Sequence, residues 1–313
     1  MKKTKKVKKR ALKNKRLLSR FSVFVLLLFV ILGFVLIVNA SSVNKKQAAT
    51  LKAKADLVSI PVSDWSFRRF SNTTYKGDMP KATPIPQVYT GYCLRVPVLM
   101  YHHIQPESIA KQLGQTSLTV DSITFDQQMA YLAQNGYTTI WASDLINALI
   151  NHTGLSPKSV VITMDDGYAD NYTYALPILQ KYNIKANIML ASGLMGSNPD
   201  MLTWDQVNGL KSSGLYYFTN HTWSHFAINR GPQNKIETEI DTAQTQIQQH
   251  TGQTVNVFTY PYGAVSSNAI LTLQKKGYLG AFTEIPGFYQ CDSFLMTLHR
   301  TRIGNSSLSA YGI

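Results

Sequence analysis

The sequence predicts an α/β protein, a distorted (β/α) barrel of about seven strands, preceded by one N-terminal transmembrane helix. From residue 96 onward, short apolar runs of strand length alternate with stretches of helical periodicity, a pattern that favours parallel strands joined by helical crossovers. Residues 96–313 contain seven or eight such strand–helix units. This number favours a closed or nearly closed barrel over an open sheet. A separate apolar run at residues 21–38 predicts the transmembrane helix.

The charge of the chain is concentrated at its N-terminus. The 313 residues have a formal net charge of +14, but eleven Lys and Arg and no acid lie within residues 1–20. The remainder is nearly balanced and shows no basic stripe interleaved with aromatic residues, so we expect no nucleic-acid partner. An apolar content of 44% excludes a disordered polymer.

The apolar run at residues 21–38 is interrupted only by Ser22 and Gly33, and a helix of this length crosses a bilayer core of ~30 Å. By the positive-inside rule, residues 1–20 form a basic cytoplasmic tail. We therefore expect a single-pass signal anchor in the cell membrane and an extracellular catalytic domain. The alternative is a cleaved signal peptide ending at Ala40, although the apolar cores of signal peptides span only about 7–15 residues.

Residues 39–95 are predicted to form a stalk or linker before a catalytic domain at residues 96–313. The first part is rich in Ala and Lys, and proline is frequent further on, which argues against long regular elements. The two cysteines, Cys93 and Cys291, exclude a disulfide-dense scaffold and a four-cysteine zinc module. The sequence leaves open whether they pair.

The predicted strands share short apolar runs bounded by polar or turn residues. They are Val96–Tyr101, Tyr137–Ile140, Val160–Met164, Ala186–Leu190, Leu215–Phe218, Val255–Thr259 and Tyr278–Phe282. The predicted helices share apolar spacings of three or four residues, and several end at a glycine. They are Phe125–Asn135, Ser143–Ile150, Asp170–Tyr182, Thr203–Ser213, Ile236–His250 and Asn268–Lys276. A local irregularity is expected at Pro177.

Two adjacent carboxylates follow the third predicted strand directly. The motif is Thr163-Met164-Asp165-Asp166-Gly167, and both aspartates stand at the end of a segment that is predicted to be buried. Two negative charges this close raise each other's pKa unless a cation lies between them. Alone, the motif is also typical of an ordinary turn. At the carboxyl end of a barrel strand, where such folds build their active sites, it becomes a candidate site.

Two histidines follow the fifth predicted strand, in His221-Thr222-Trp223-Ser224-His225. Histidines four residues apart share a face of a helical turn, which suits two imidazoles on one metal. One Asp and two His give three ligands and an open position, as in catalytic metal sites, and the second Asp is then a natural general base. After the next strand, backbone N–H groups of Tyr260-Pro261-Tyr262-Gly263 can donate to an oxyanion.

With these motifs the chain resembles the polysaccharide deacetylases of carbohydrate esterase family 4, over about residues 96–303. The family's Thr-Phe-Asp-Asp-Gly is similar to Thr163–Gly167, and its His-Ser/Thr-x-x-His matches His221–His225. Its Arg-x-Pro-Tyr matches Thr259–Tyr262 only in part. The segment Pro97–His102 resembles the exported branch that acts on poly-N-acetylglucosamine and related polymers.

The resemblance implies a role for each candidate residue. Asp165 is the general base, and Tyr262 donates its backbone N–H to the oxyanion. Asp166, His221 and His225 bind the metal, which is usually zinc in this family, or another divalent transition metal. The metal polarises the acetamide carbonyl.

The resemblance is weaker in the late segment Leu298-His299-Arg300. The family takes the proton for the leaving amine from a histidine in a late Leu-x-His motif, which makes His299 the candidate. An alternative alignment, with the Leu-Pro-Arg of the exported branch, makes Arg300 the matching residue. Thr259 also stands where the family has the arginine that orients the base, so the sequence does not show what holds Asp165.

Further histidines and aromatic residues are candidates for the mouth of the barrel. His102 and His103 end the first strand, and either lie at the mouth or make structural hydrogen bonds. Tyr168, Trp204 and Trp223 either stack on sugar rings or pack in the core.

Together these features predict a membrane-anchored, metal-dependent hydrolase. It would remove N-acetyl groups from an extracellular or cell-wall aminosugar polysaccharide of the poly-N-acetylglucosamine type. The alternatives are a peptidoglycan N-acetylglucosamine deacetylase, a xylan esterase of the same fold, and a non-catalytic sugar-binding domain on the same barrel. The intact set of candidate ligands and base argues against the last of these.

Overall fold

The computed structural model describes residues 90–313. The predicted cytoplasmic tail, the predicted anchor at residues 21–38 and most of the predicted linker lie outside these residues. Within residues 90–313, no helix combines the length and the hydropathy that crossing a bilayer requires.

Strands and helices alternate along most of the described chain. The strands are β1 (Cys93–Arg95), β2 (Val98–Tyr101), β3 (His103–Ile104), β4 (Thr119–Val120), β5 (Thr138–Ile140), β6 (Ser159–Asp166), β7 (Ala186–Leu190), β8 (Tyr216–Asn220), β9 (Val257–Thr259), β10 (Gly280–Phe282), β11 (Tyr289–Cys291) and β12 (Thr301–Arg302). The helices are α1 (Glu107–Leu113), α2 (Ser122–Gln134), α3 (Ala142–Ile150), α4 (Leu176–Tyr182), α5 (Trp204–Ser212), α6 (Gln233–Thr251) and α7 (Ser267–Lys275).

A parallel sheet forms the centre of the fold. Seven strands follow the order β10-β9-β8-β7-β6-β2-β12, and β5 pairs with the first residues of β6. Leu298 pairs in parallel with Phe282 of β10, and the next residues of that segment, Thr301 and Arg302, pair with β2. The continuous sheet is a half-barrel of seven strands, and the late segment links its two sides, β10 and β2, only through these few residue pairs. The prediction of an α/β fold with about seven parallel strands is confirmed.

Side chains of the central strands alternate between two apolar cores. On β6, Val160, Ile162 and Met164 belong to one core together with helix residues such as Phe125, whereas Val161 belongs to a second core. Because side chains alternate along a strand with a period of two, Asp165 lies on the same face of β6 as Val161. The regular alternation of β6 therefore directs this carboxylate toward the inside of the half-barrel.

One predicted helix starts irregularly. Residues 171–175 form a π-helical turn, and the regular helix α4 begins after it. Pro177 lies in the first turn of α4, where its missing N–H is not needed for a hydrogen bond within the helix. The expected irregularity near Pro177 is confirmed, because the π-helical turn ends two residues before it.

The two cysteines join the predicted linker to the predicted catalytic domain. β1 lies within residues 39–95 and pairs antiparallel with β11, with Cys93 opposite Cys291. The two cysteines form a disulfide. The folded unit therefore begins before the predicted boundary at residue 96.

Replacing both Cys93 and Cys291 with serine should lower the free energy of unfolding by about 2–5 kcal/mol. The disulfide joins residues 198 apart in sequence, so it removes much conformational freedom from the unfolded chain. Urea titrations followed by circular dichroism would measure the loss. A reductant should destabilise the native protein to the same extent and leave the stability of the double variant unchanged. If the urea midpoint of the native protein does not change with reductant, the prediction is contradicted.

Candidate active site

The carboxyl ends of three parallel strands bring the sequence motifs to one edge of the sheet. Asp165 and Asp166 are the last two residues of β6, His221 directly follows β8, and Tyr262 lies in the turn after β9. In barrels of parallel strands, side chains from these ends converge on one site.

Asp166, His221 and His225 form a cluster at this edge. Nε2 of His221 and Nε2 of His225 lie 3.4 and 3.1 Å from Oδ1 of Asp166. One potential ligand atom from each residue lies within 4.8 Å of the other two. Two imidazole nitrogens and one carboxylate oxygen are a donor set that suits zinc and neighbouring divalent transition metals, so the cluster fits the predicted metal.

A backbone hydrogen bond orients His221. Its Nδ1 lies 2.8 Å from the carbonyl oxygen of Thr259, which can only accept. Nδ1 therefore donates, which leaves Nε2, on the side of Asp166, as the ring atom that would bind a metal. A second hydrogen bond of this kind is what fixes the ring and the tautomer of most metal-binding histidines.

The loop that contains the histidines is not the helical turn that their spacing predicts. Thr222 and His225 have φ angles of +66° and +57°, in the left-handed region. Thr222 donates its N–H to the side-chain oxygen of Asn220, and its hydroxyl accepts from the N–H of Phe226, both over 2.8 Å. The prediction of a helical turn is wrong, yet the loop brings both imidazoles to Asp166.

A buried arginine holds the other carboxylate. Nη1 and Nη2 of Arg300 donate to Oδ1 and Oδ2 of Asp165 over 2.6 and 2.8 Å, and Nε donates to the carbonyl of Thr283. Burial by itself would raise the pKa of Asp165, but the charge and hydrogen bonds of Arg300 hold that pKa below its ordinary value. Asp165 is thus ionised and fixed in orientation, as a general base must be.

Arg300 supplies the orienting cation that Thr259 cannot. Of the two alignments of the late segment, this contact supports the one that matches Arg300. His299 lies elsewhere, because its ring stacks on Phe294 with centroids 4.9 Å apart and packs against Gly287. Neighbouring side chains of an extended segment point to opposite sides, and these contacts of His299 do not support its predicted role as proton donor.

His102 lies beside Asp165. Its Nε2 is 3.9 Å from Oδ2 of Asp165. Burial lowers the pKa of His102, and it outweighs the nearby charges of Asp165 and Asp166, which raise the pKa. Of the two readings of His102, the structure supports the one that places it at the mouth of the barrel.

His103 and Tyr168 have structural contacts. Nδ1 of His103 lies 2.5 Å from Oδ2 of Asp170, and its ring stacks on Tyr168 with centroids 3.5 Å apart. Burial, together with the charge of Asp166 and a hydrogen bond to it, raises the pKa of the Tyr168 hydroxyl. The hydroxyl of Tyr168 is thus hydrogen-bonded to Asp166, one of the candidate metal ligands.

The two tryptophans that the sequence offers for sugar stacking also pack within the domain. Trp204 stacks on His250 with ring centroids 3.9 Å apart. Trp223 lies against Gly193, where an added Cβ would come within 2.5 Å of the indole nitrogen. These contacts support packing within the domain, rather than stacking on a sugar, as the role of both indoles.

Tyr262 lies at the rim of the cluster. Its backbone has a φ of +59° within the turn Pro261–Gly263. Its ring meets the ring of His225 at a centroid distance of 4.5 Å, and 57% of the residue is exposed. The turn is thus open to solvent directly beside the ligand cluster, where a substrate can approach it.

A half-barrel that gathers an Asp-His-His cluster and an ionised, arginine-held aspartate at one edge defines a hydrolase-type site. The family model for polysaccharide deacetylases matches residues 152–281. YxkH of Bacillus subtilis (strain 168), whose name places it among the polysaccharide deacetylases, is 30% identical over 219 residues, which are 70% of this chain and 75% of that protein. The chain belongs to the polysaccharide deacetylase family, as the sequence motifs predict.

Two further proteins are similar to this chain. The poly-beta-1,6-N-acetyl-D-glucosamine N-deacetylase of Escherichia coli (strain K12) is 26% identical over 249 residues, covering 66% of this chain and 36% of that enzyme. The chain therefore matches little more than a third of that relative's length. The structure of Streptococcus pyogenes deacetylase PplD in complex with acetate is 27% identical, with a TM-score of 0.65 over 70% of this chain and 96% of that one.

Proposed function

We propose that this protein removes N-acetyl groups from an extracellular aminosugar polysaccharide of the poly-N-acetylglucosamine type. We further propose that a divalent transition metal, zinc first, binds to Asp166, His221 and His225. The observation that carries the proposal is the position of Asp165, an ionised carboxylate directly beside this ligand cluster. The similarity to the Escherichia coli enzyme, which is named for this substrate, supports the substrate class.

Asp165 is the base in this proposal. Its carboxylate is buried and held by Arg300, so it takes a proton from the water that attacks the acetamide carbonyl. A metal ion at the cluster, when bound, would polarise that carbonyl. The backbone N–H of Tyr262, in the exposed turn at the rim, donates to the oxygen on which negative charge develops.

His102 is the proton donor in this proposal. Cleavage of the C–N bond needs a proton on the nitrogen, because an amine anion is a poor leaving group. The imidazole of His102 lies beside Asp165, with 3.9 Å between Nε2 and Oδ2. The products are acetate and a free amine on the sugar, which is cationic near neutral pH and alters how the polymer adheres to anionic surfaces.

We place the catalytic domain outside the cytoplasm, anchored by residues 21–38. The basic residues before that apolar run support this orientation. The disulfide between Cys93 and Cys291 supports it independently, since disulfides persist mainly in oxidising compartments.

The test is acetate release from N-acetylglucosamine oligomers and from purified peptidoglycan. We expect release from the oligomers, loss on chelation and recovery with zinc. Asp165→Asn should lower kcat by about 10²–10⁴-fold, because it removes the base. Faster release from peptidoglycan would identify that polymer as the substrate instead. If neither releases acetate while zinc stays bound, the remaining functions are ester hydrolysis or sugar binding alone.

A further inference from the structure

A buried glutamate on α6 contacts the loop between the two histidine ligands. Glu239 is fully buried, and its two carboxylate oxygens accept from the backbone N–H and the hydroxyl of Ser224, over 2.8 and 2.7 Å. Its backbone carbonyl accepts from the N–H of Trp223 over 3.0 Å. Lys235, one turn earlier on α6, places its ammonium 2.6 Å from the carboxylate. The charge of Glu239 is therefore compensated, and the carboxylate is directed at the loop.

The next residue of α6 holds the beginning of the same loop. The carbonyl of Ile240 accepts from the side-chain amide of Asn220 over 2.9 Å. The oxygen of that amide accepts from the N–H of Thr222 over 2.8 Å. Neighbouring residues of one helical turn thus bind the loop both before and after Thr222.

The backbone of this loop needs such support. Thr222 and His225 both have positive φ angles, which are uncommon for residues other than glycine and most unfavourable for a β-branched residue such as threonine. Backbone of this kind persists only where its surroundings determine it. Ser224 directly precedes His225, and both its N–H and its hydroxyl are bound to Glu239, so that carboxylate fixes the direction in which His225 leaves the loop.

We propose that Glu239 is a positioning residue for the metal site. Through Ser224 it holds His225 at Asp166 before a metal ion arrives, so that binding does not have to order the loop. This inference rests on the proposed metal site and extends it to a residue outside the three sequence motifs. In the sequence, Glu239 stands out as a charged residue on the apolar face of α6, where it lies between Ile236 and Ala243 at helical spacing.

Metal affinity tests this inference without any substrate. The Zn²⁺ affinity of the purified protein is measured by competition with a chromophoric chelator at fixed pH, and the thermal midpoint of the metal-free protein is measured in parallel. Glu239→Gln should weaken Zn²⁺ binding by about tenfold or more, as loss of partners of metal ligands does elsewhere. Ser224→Ala removes one hydroxyl of the same contact and should weaken binding in the same direction by a smaller factor.

Gln244 offers a matched control on the same helix. Its amide donates to the carbonyl of Val255 over 2.7 Å, away from the histidine loop. Gln244→Ala should lower the thermal midpoint and leave the Zn²⁺ affinity unchanged.

The outcomes separate this inference from the proposed function. Native Zn²⁺ affinity in both Glu239→Gln and Ser224→Ala, with only the thermal midpoint lowered, would overturn the inference alone. If Glu239→Gln does not fold, Ser224→Ala decides the question. If His225→Ala binds Zn²⁺ as tightly as the native protein, the metal site itself is refuted, and the inference with it.

Discussion

Replacing Arg300 with methionine should remove most of the activity and destabilise the fold at the same time. Arg300 is fully buried and donates two hydrogen bonds to Asp165. Breaking a buried ion pair leaves an uncompensated charge and costs about 3–5 kcal/mol of stability. Because Asp165 also loses the group that orients it, we expect kcat/KM to fall by about 10²–10⁴-fold, the range for loss of a general base.

The pH profile of Arg300→Met gives a second readout. Burial raises the pKa of Asp165, and Arg300 is what holds that pKa below its ordinary value. Without Arg300 the carboxylate takes up a proton at higher pH, and a protonated carboxylate is not a base. The acidic limb of kcat/KM should therefore move to higher pH in the variant.

Arg302 provides the matched control for this substitution. It lies two residues further along the same segment and donates to the carbonyl of Ser117 in an exposed hydrogen bond. Arg302→Met should change stability by no more than about 0.5 kcal/mol and leave the acidic limb in place. An unshifted acidic limb in Arg300→Met would refute the role assigned to this arginine.

Replacing His102 with glutamine should lower kcat by about 10²–10⁴-fold, because it removes the proposed proton donor. The donor must be protonated, so kcat/KM of the native enzyme falls as pH rises through the pKa of His102, which burial lowers. His102→Gln should lose this decline, since glutamine does not titrate. Rates of acetate release from N-acetylglucosamine oligomers across the pH range would measure both effects.

His299 is the natural comparison, because the sequence motif favours it and the structure does not. His299→Gln should keep kcat close to the native value, since the ring packs on Phe294 away from the carboxylates. A large loss in His299→Gln together with native kcat in His102→Gln would reverse this assignment.

Local patterns were sufficient for most of the fold. Continuous apolar runs predicted β6 and β7, because both faces of these strands are buried. A helical spacing of apolar residues predicted α6, because burial of one face imposes a period on the sequence. Most elements that were predicted differ from the observed ones at their ends. The short elements β1, β3, β4, β11, β12 and α1 were not predicted. The carboxylates and histidines were found in the same way, since each motif lies at or directly after the carboxyl end of a strand.

The sequence by itself thus determined the order of strands and helices and the residues of the ligand cluster, because both depend on residues that are close along the chain. Only the tertiary structure decided what holds Asp165, since Arg300 and Asp165 are 135 residues apart in sequence and no local pattern links them. The same holds for the disulfide, for the position of His102 beside Asp165, and for the contact of Glu239 with the histidine loop. Each depends on which side chains the curved sheet and its packed helices bring into contact.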